Sequence, residues 1–153
     1  MKITTSRFGE LEIPGEKVIT FPWGLPGFEG LRGFVLLPVE DTPPFSWLQS
    51  VEDSHTAFLL VDPFLFFKDY EISLTDQLRK ELLVEDKSHA FVQVIATIPG
   101  ENIQDMTVNL VGPVVINPKR NLGKQIILEN TCYGTRHPIF EEAGKKGHAS
   151  KSR

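Results

Sequence analysis

Along this chain, apolar and polar residues alternate with a period of two in short runs that glycine and proline separate. Ile3–Ser6 and Glu10–Ile13 flank Phe8-Gly9, and Leu11 and Ile13 alternate with Glu10 and Glu12, a pattern that predicts two short strands. Pro14-Gly15 closes the second, and Val18–Phe21 begins another. Phe34–Pro38 and Ala57–Val61 are apolar enough to predict buried strands, and Ser46–Val51 resumes the sheet between them. In Phe91–Ile98 the pattern puts Val92, Val94, Ala96 and Ile98 on one face and Gln93 and Thr97 on the other. Met106–Val111, Val114–Ile116 and Gln125–Glu129 continue the series, with a polar turn over 117–123. One stretch changes period. Leu74, Leu78 and Leu82 recur at spacing four, Ser73 or Thr75 can cap, and Asp76 suits a first turn, so a short helix is expected over about 75–84.

Turn signals at intervals of 8–12 residues favour a sandwich or barrel over alternating β-α units. The chain is therefore expected to be all-β with one short helix. Gly24, Gly27, Gly30 and Gly33 repeat every third residue, but four repeats without sustained proline do not make a collagen helix. They suit tight turns, with Trp23, Leu25 and Phe28 expected to pin the loop to a core. Glu40–Pro44 is expected to be a loop. The 153 residues suit one domain over 1–140, followed by a disordered tail with little to bury. That tail, 141–153, carries four basic and two acidic side chains, so the net charge of −4 resolves into −6 for the body and +2 for the tail. An acidic body disfavours phosphate backbones and suits a basic protein partner.

The densest chemistry lies in Pro43–Glu71, which holds five of the eleven phenylalanines and one of the two tryptophans. Asp62-Pro63 divides it, because proline disfavours helix at the preceding residue and cannot donate to a ladder. The rings that follow, Phe64, Phe66 and Phe67, either fill a core or form a partner-binding ridge. Asp62, Asp69 and Glu71 fit solubilising and capping roles better than acid-base or cation chemistry. The histidines, at 55, 89, 137 and 148, show no metal-ligand spacing with each other or with Cys132. Cys132 with His137 as base is a weak nucleophile candidate, since only Arg136 is near enough in sequence to lower its pKa. Thr135-Arg136-His137-Pro138 suits a structural lock or a partner contact. No phosphate loop, dinucleotide fingerprint or nucleophile elbow is present, so no catalytic residue, cofactor or metal is assigned. A single cysteine favours a reducing compartment. No apolar run reaches about 18 residues, and MKITTSRFGE lacks a signal-peptide core, so the expected location is the cytoplasm.

Six blocks then occur in order: Phe21-Pro-x-Gly-Leu-Pro-Gly-Phe-Glu29, Pro44-Phe-x-Trp-Leu-Gln-Ser50, Asp62-Pro-Phe-Leu-Phe-Phe-x-Asp-Tyr-Glu71, Asn109 with Pro113–Asn117, Gly123-Lys-Gln-Ile-Ile-Leu128 and Tyr133–Pro138. Together they resemble the bacterial flagellar assembly factor FliW over roughly 1–140. Lys68 departs from the proline expected there, and the basic tail is no part of the pattern. The resemblance implies a small antiparallel β-barrel-like fold and no catalysis. It further implies binding to flagellin and to the translational regulator CsrA, whose repression of flagellin mRNA would be relieved allosterically. Within that reading, Phe45, Trp47, Phe64, Phe66, Phe67 and Tyr70 are candidate apolar anchors where exposed, with Asp69 and Glu71 as rim charges. The alternative is a small-ligand or flavin-binding barrel lined by Trp23, Trp47 and the central phenylalanines.

Overall fold

The computed structural model describes residues 1–39, 45–129 and 131–140. The expected Glu40–Pro44 loop and the tail over 141–153 lie outside the described residues. The strands are β1 (Lys2–Thr5), β2 (Gly9–Glu12), β3 (Ile19–Thr20), β4 (Gly33–Pro38), β5 (Phe45–Ser50) and β6 (Ala57–Val61). After the helix α1 (Asp76–Leu82) come β7 (Phe91–Thr97), β8 (Thr107–Val108), β9 (Val114–Asn117), β10 (Leu122–Gln125) and β11 (His137–Pro138). Seven strands close a barrel in the order β3-β4-β5-β6-β7-β9-β10 and back to β3. Closure depends on β7, which pairs with β6 through Val94–Ala96 and with β9 through Phe91–Gln93. β8 also pairs with β7, and β11 pairs with β8. β1 and β2 form a separate hairpin.

The period-two pattern explains where each side chain goes. On β4, Phe34 and Leu36 join a cluster with Ile19, Leu48, Leu60, Val114 and Ile116, drawn from strands around the ring, which is the barrel interior. Val35 and Leu37 point the other way and pack under the hairpin with Ile3, Leu11 and Ile13. On β9, Val115 faces outward against Leu78 and Leu82 of α1. On β6 and β7, Leu59, Val61, Val94 and Ala96 form an outer cluster with Tyr70, Met106, Val108 and Leu110. The interior is full of side chains, and the hairpin, the helix and the 63–72 segment each cover part of the outside.

Local chemistry sets the boundaries. The Thr75 hydroxyl accepts the Leu78 amide at 3.1 Å and caps α1. The helix ends at Leu82 rather than Val84, because Leu83 adopts a left-handed conformation at φ 56°. Asn117, buried on β9, donates to the carbonyls of Leu82 and Leu83 at 2.8 and 3.0 Å and so serves as a remote C-cap. Gly24 is a turn position that requires glycine: at φ +66°, a Cβ would lie 2.5 Å from the Glu29 Cα.

Several expectations differ from what is found. Of the residues expected to pin the glycine loop, only Leu25 is buried, whereas Trp23 and Phe28 are 46% and 40% exposed. The expected strand Met106–Val111 shrinks to Thr107–Val108, because the Asn109 side-chain oxygen accepts the amides of Val111 and Gly112 and turns the chain out of the ladder. The last strand of the barrel begins at Leu122, earlier than expected, since Asn121 at φ 53° already completes the turn after β9. One closing pair, β10 with β3, is parallel. Gln93 is buried on the inner side of β7, its amide donating to the Val92 carbonyl.

Candidate partner-binding surface

The aromatic stretch is built on a single turn. Asp62 accepts the Phe64 amide at 2.9 Å, and buried Pro63 occupies the first position of a 3₁₀ turn over Pro63–Leu65. The turn throws Phe64 and Leu65 outward, 43% and 60% exposed. The chain then folds back, with the Phe67 amide on the Pro63 carbonyl at 2.9 Å and the Tyr70 amide on the Phe67 carbonyl at 3.0 Å. Phe66 and Phe67 end half-buried against the outer cluster, and Phe45 and Trp47 join them from β5. Asp69 and Glu71 are exposed at the margin. Asp62 is thus a cap, the role expected of a carboxylate flanking this apolar segment.

Tyr70 differs from the other candidate anchors. It is 2% exposed, and its hydroxyl donates to the Leu110 carbonyl at 2.7 Å. Burial pushes its pKa well above the ordinary tyrosine value, with the neighbouring Tyr133 adding to the effect. Tyr133 is raised as well, first by burial and then by Cys132 and the charges of Asp69 and Glu71.

Two stretches far apart in sequence meet here. Tyr70 stands edge-on to Tyr133 at 5.1 Å, Phe67 to His137 at 5.2 Å, and Phe66 to Phe140 at 6.5 Å. Edge-to-face pairs at such distances are favourable beyond their buried area. His137 and Pro138 form β11, the Leu110 amide donates to the Gly134 carbonyl, and Ile139 donates to Met106. The lock expected at Thr135–Pro138 is therefore made by His137 and Pro138, while Thr135 and Arg136 are exposed.

Two features of this surface escaped the sequence pattern. Arg7 lies over the Trp47 ring at 3.8 Å, and Phe8 joins Leu11, Leu37, Val39 and Trp47 around an apolar cavity of about 500 Å³. The signal was present in Phe8, a large apolar residue in a hairpin turn that strand periodicity does not explain. Trp23 has a different companion, the Lys124 ammonium 4.5 Å from its ring. The two tryptophans and the central phenylalanines are not gathered round one barrel cavity; the interior is occupied by Phe21, Phe34, Leu48 and Leu60. Cys132 is an exposed free thiol. Among the described residues, no three His, Cys, Asp or Glu side chains are grouped to hold a metal ion.

Fold and surface together define a class: a small closed β-barrel with a filled interior and an aromatic collar graded from buried to exposed. The model of the FliW protein family matches residues 2–139. The flagellar assembly factor FliW of Moorella thermoacetica is 48% identical over 143 residues, covering 94% of this chain and 90% of its own. That of Natranaerobius thermophilus is 43% identical over 150 residues, covering 98% and 99%. A crystal structure of the flagellar assembly factor FliW superposes with a TM-score of 0.84 at 41% identity, covering 94% of this chain and 99% of that one. The chain belongs to the FliW family of flagellar assembly factors. No helix among the described residues is long and apolar enough to cross a membrane.

Proposed function

We propose that this chain is a non-enzymatic partner switch of flagellar assembly, acting in the cytoplasm. It binds flagellin, and when flagellin has been exported it binds CsrA instead and relieves repression of flagellin mRNA. The relief is allosteric, away from the RNA site of CsrA. The observation that carries this reading is the family match over residues 2–139, nearly all of the described chain. The surface chemistry supports it: half-buried Phe45, Trp47, Phe66 and Phe67 and exposed Phe64 supply ring area, and Asp69 and Glu71 supply acidic rim charge. Tyr70 shapes this surface from beneath rather than touching a partner. The net charge of −4 favours encounter with a basic RNA-binding protein.

Calorimetric titration with CsrA, repeated after saturation with flagellin, is the test. CsrA binding that flagellin abolishes is the expected result. Flagellin binding alone would reduce the role to a chaperone, and silence with both would sink the reading. In a folded protein, Phe64→Ala is expected to weaken at least one of the two affinities by tenfold or more, as loss of an interface anchor costs about 2 kcal/mol.

A further inference from the structure

The ladder between β9 and β10 does not stop at Gln125. Ile126 donates to the Pro113 carbonyl at 2.9 Å and Leu128 to the Val111 carbonyl at 2.8 Å, in register with the pairing of Gln125 and Val114. Antiparallel pairing directs alternate amides to opposite edges, so the amides of Ile127 and Glu129 face the other way. Among the described residues neither has a backbone acceptor. β3, which pairs with β10 at Leu122, does not extend this far. The barrel wall therefore ends here in an open edge, with Ile127 61% exposed.

That edge borders a groove of about 630 Å³ whose opposite wall carries Thr75, Gln77 and Leu78 of the α1 region. The Glu81–Lys124 ion pair, at 2.7 Å, joins α1 to β10 across the groove lining. Among the described residues, the charged lining is Glu71, Glu81, Glu129 and Lys124, a net of −2, and its one cation is already paired. Glu71 and Glu129 are exposed. Natural proteins usually cover or charge an open edge, and a groove that supplies unpaired amides, apolar walls and acidic rims suits one kind of guest.

We propose that this groove takes a basic, extended segment of a partner protein as an added β-strand along 126–129. Main-chain bonds to Ile127 and Glu129 supply the register; the segment's apolar side chains go to the face shared by Ile126 and Leu78, and its lysines or arginines to the opposite face, beside Glu129. The inference deepens the partner-binding reading but does not depend on which protein provides the segment. A peptide experiment and the calorimetry with flagellin and CsrA can therefore fail separately.

The probe is a capped heptapeptide of alternating lysine and valine, with amide hydrogen exchange of the intact chain read by NMR. In the free protein Ile127 and Glu129 should exchange fast, and saturation with peptide should slow both by at least tenfold. Added salt should weaken binding, as exposed charge pairing requires. The same peptide N-methylated along one edge should not bind. Ile127→Pro removes an outward amide while leaving the Ile126 and Leu128 bonds, a position where an edge tolerates proline, and should abolish protection at Glu129. Glu129→Lys, which leaves the main chain unaltered, should weaken the peptide several-fold. No binding, binding without protection of these two amides, or equal binding of the N-methylated peptide would overturn the proposal. So would amides already slow in the free protein: concentration dependence would assign the edge to a second copy, and its absence to the chain's own residues.

Discussion

Phe34 in the barrel interior and Phe64 on the outer turn carry the same ring in opposite surroundings. Phe34 is 0% exposed and packs edge-on to Phe21 at 5.3 Å; Phe64 is 43% exposed and tilts over Tyr70 at 5.8 Å. The interior is sealed by seven strands, so every ring there is committed to the fold. The outer rings lie on a supporting layer that is itself complete. Leu59, Val61, Val94 and Leu110 are buried beneath them, and the Tyr70 hydroxyl already satisfies the Leu110 carbonyl. The fold thus holds this aromatic surface without depending on it.

The sharpest way to break this contrast is to truncate both rings. Phe34→Ala is expected to cost about 3–5 kcal/mol in urea unfolding, the usual cost of deleting a buried ring whose cavity cannot collapse. Phe64→Ala should cost under about 1 kcal/mol, as partly exposed positions generally do. Equal costs would mean that the outer turn is part of the core and would remove the case for a separable surface.

A second substitution tests how the helix is held to the barrel. Asn117→Ala deletes both donors to the last carbonyls of α1, and with Asn117 2% exposed no water readily replaces them. Leaving such a group unsatisfied costs about 1–3 kcal/mol. Hydrogen exchange should show the loss concentrated in α1 and its neighbours on β10. A uniform loss over the barrel would refute the remote-cap account.

The longer strands of the barrel were legible because they commit residues to both sides of one wall, and period two survives that. Phe34, Val35, Leu36 and Leu37 read as a strand from sequence and alternate between the interior and the hairpin as a strand must. What closes the ring was not legible. Nothing in Leu122 announces its parallel neighbour Thr20, and nothing in Phe91–Gln93 announces β9, because both pairings join segments that only the completed wall brings together. The candidate surface was half legible for a related reason. Phe64, Phe66, Phe67 and Tyr70 lie in a 3₁₀ turn and an irregular segment, where no period tells which ring turns inward. Density marked the region, but only the Leu110 carbonyl decided that Tyr70 is the buried one.

Tyr70→Phe follows from that point and should have a smaller effect. It retains the ring against Tyr133 and removes one buried hydrogen bond, at a cost of about 1 kcal/mol. If Tyr70 acts from beneath, affinity for flagellin or CsrA should change far less than with Phe64→Ala. A larger loss of affinity than of stability would make Tyr70 a contact after all.

The smallest expected effect concerns the pair that links α1 to β10. Hydrogen bonds from Gln77 and then from Lys124 hold the Glu81 carboxyl below its ordinary pKa. A carboxyl lowered in the folded state stabilises the fold fully above its unfolded pKa, roughly pH 4–5. The contribution is lost as pH falls through the lower folded value. Glu81→Gln should therefore cost under about 1 kcal/mol at neutral pH, as partly exposed pairs do, and progressively less below pH about 4. Stability of the two proteins measured between pH 3 and 7 should converge at the acid end. Parallel curves would show that Glu81 contributes through packing rather than charge. The pair would then be no electrostatic clasp, and the groove wall it joins would rest on the packing of Leu78 and Leu82 against Val115 and on the Asn117 cap.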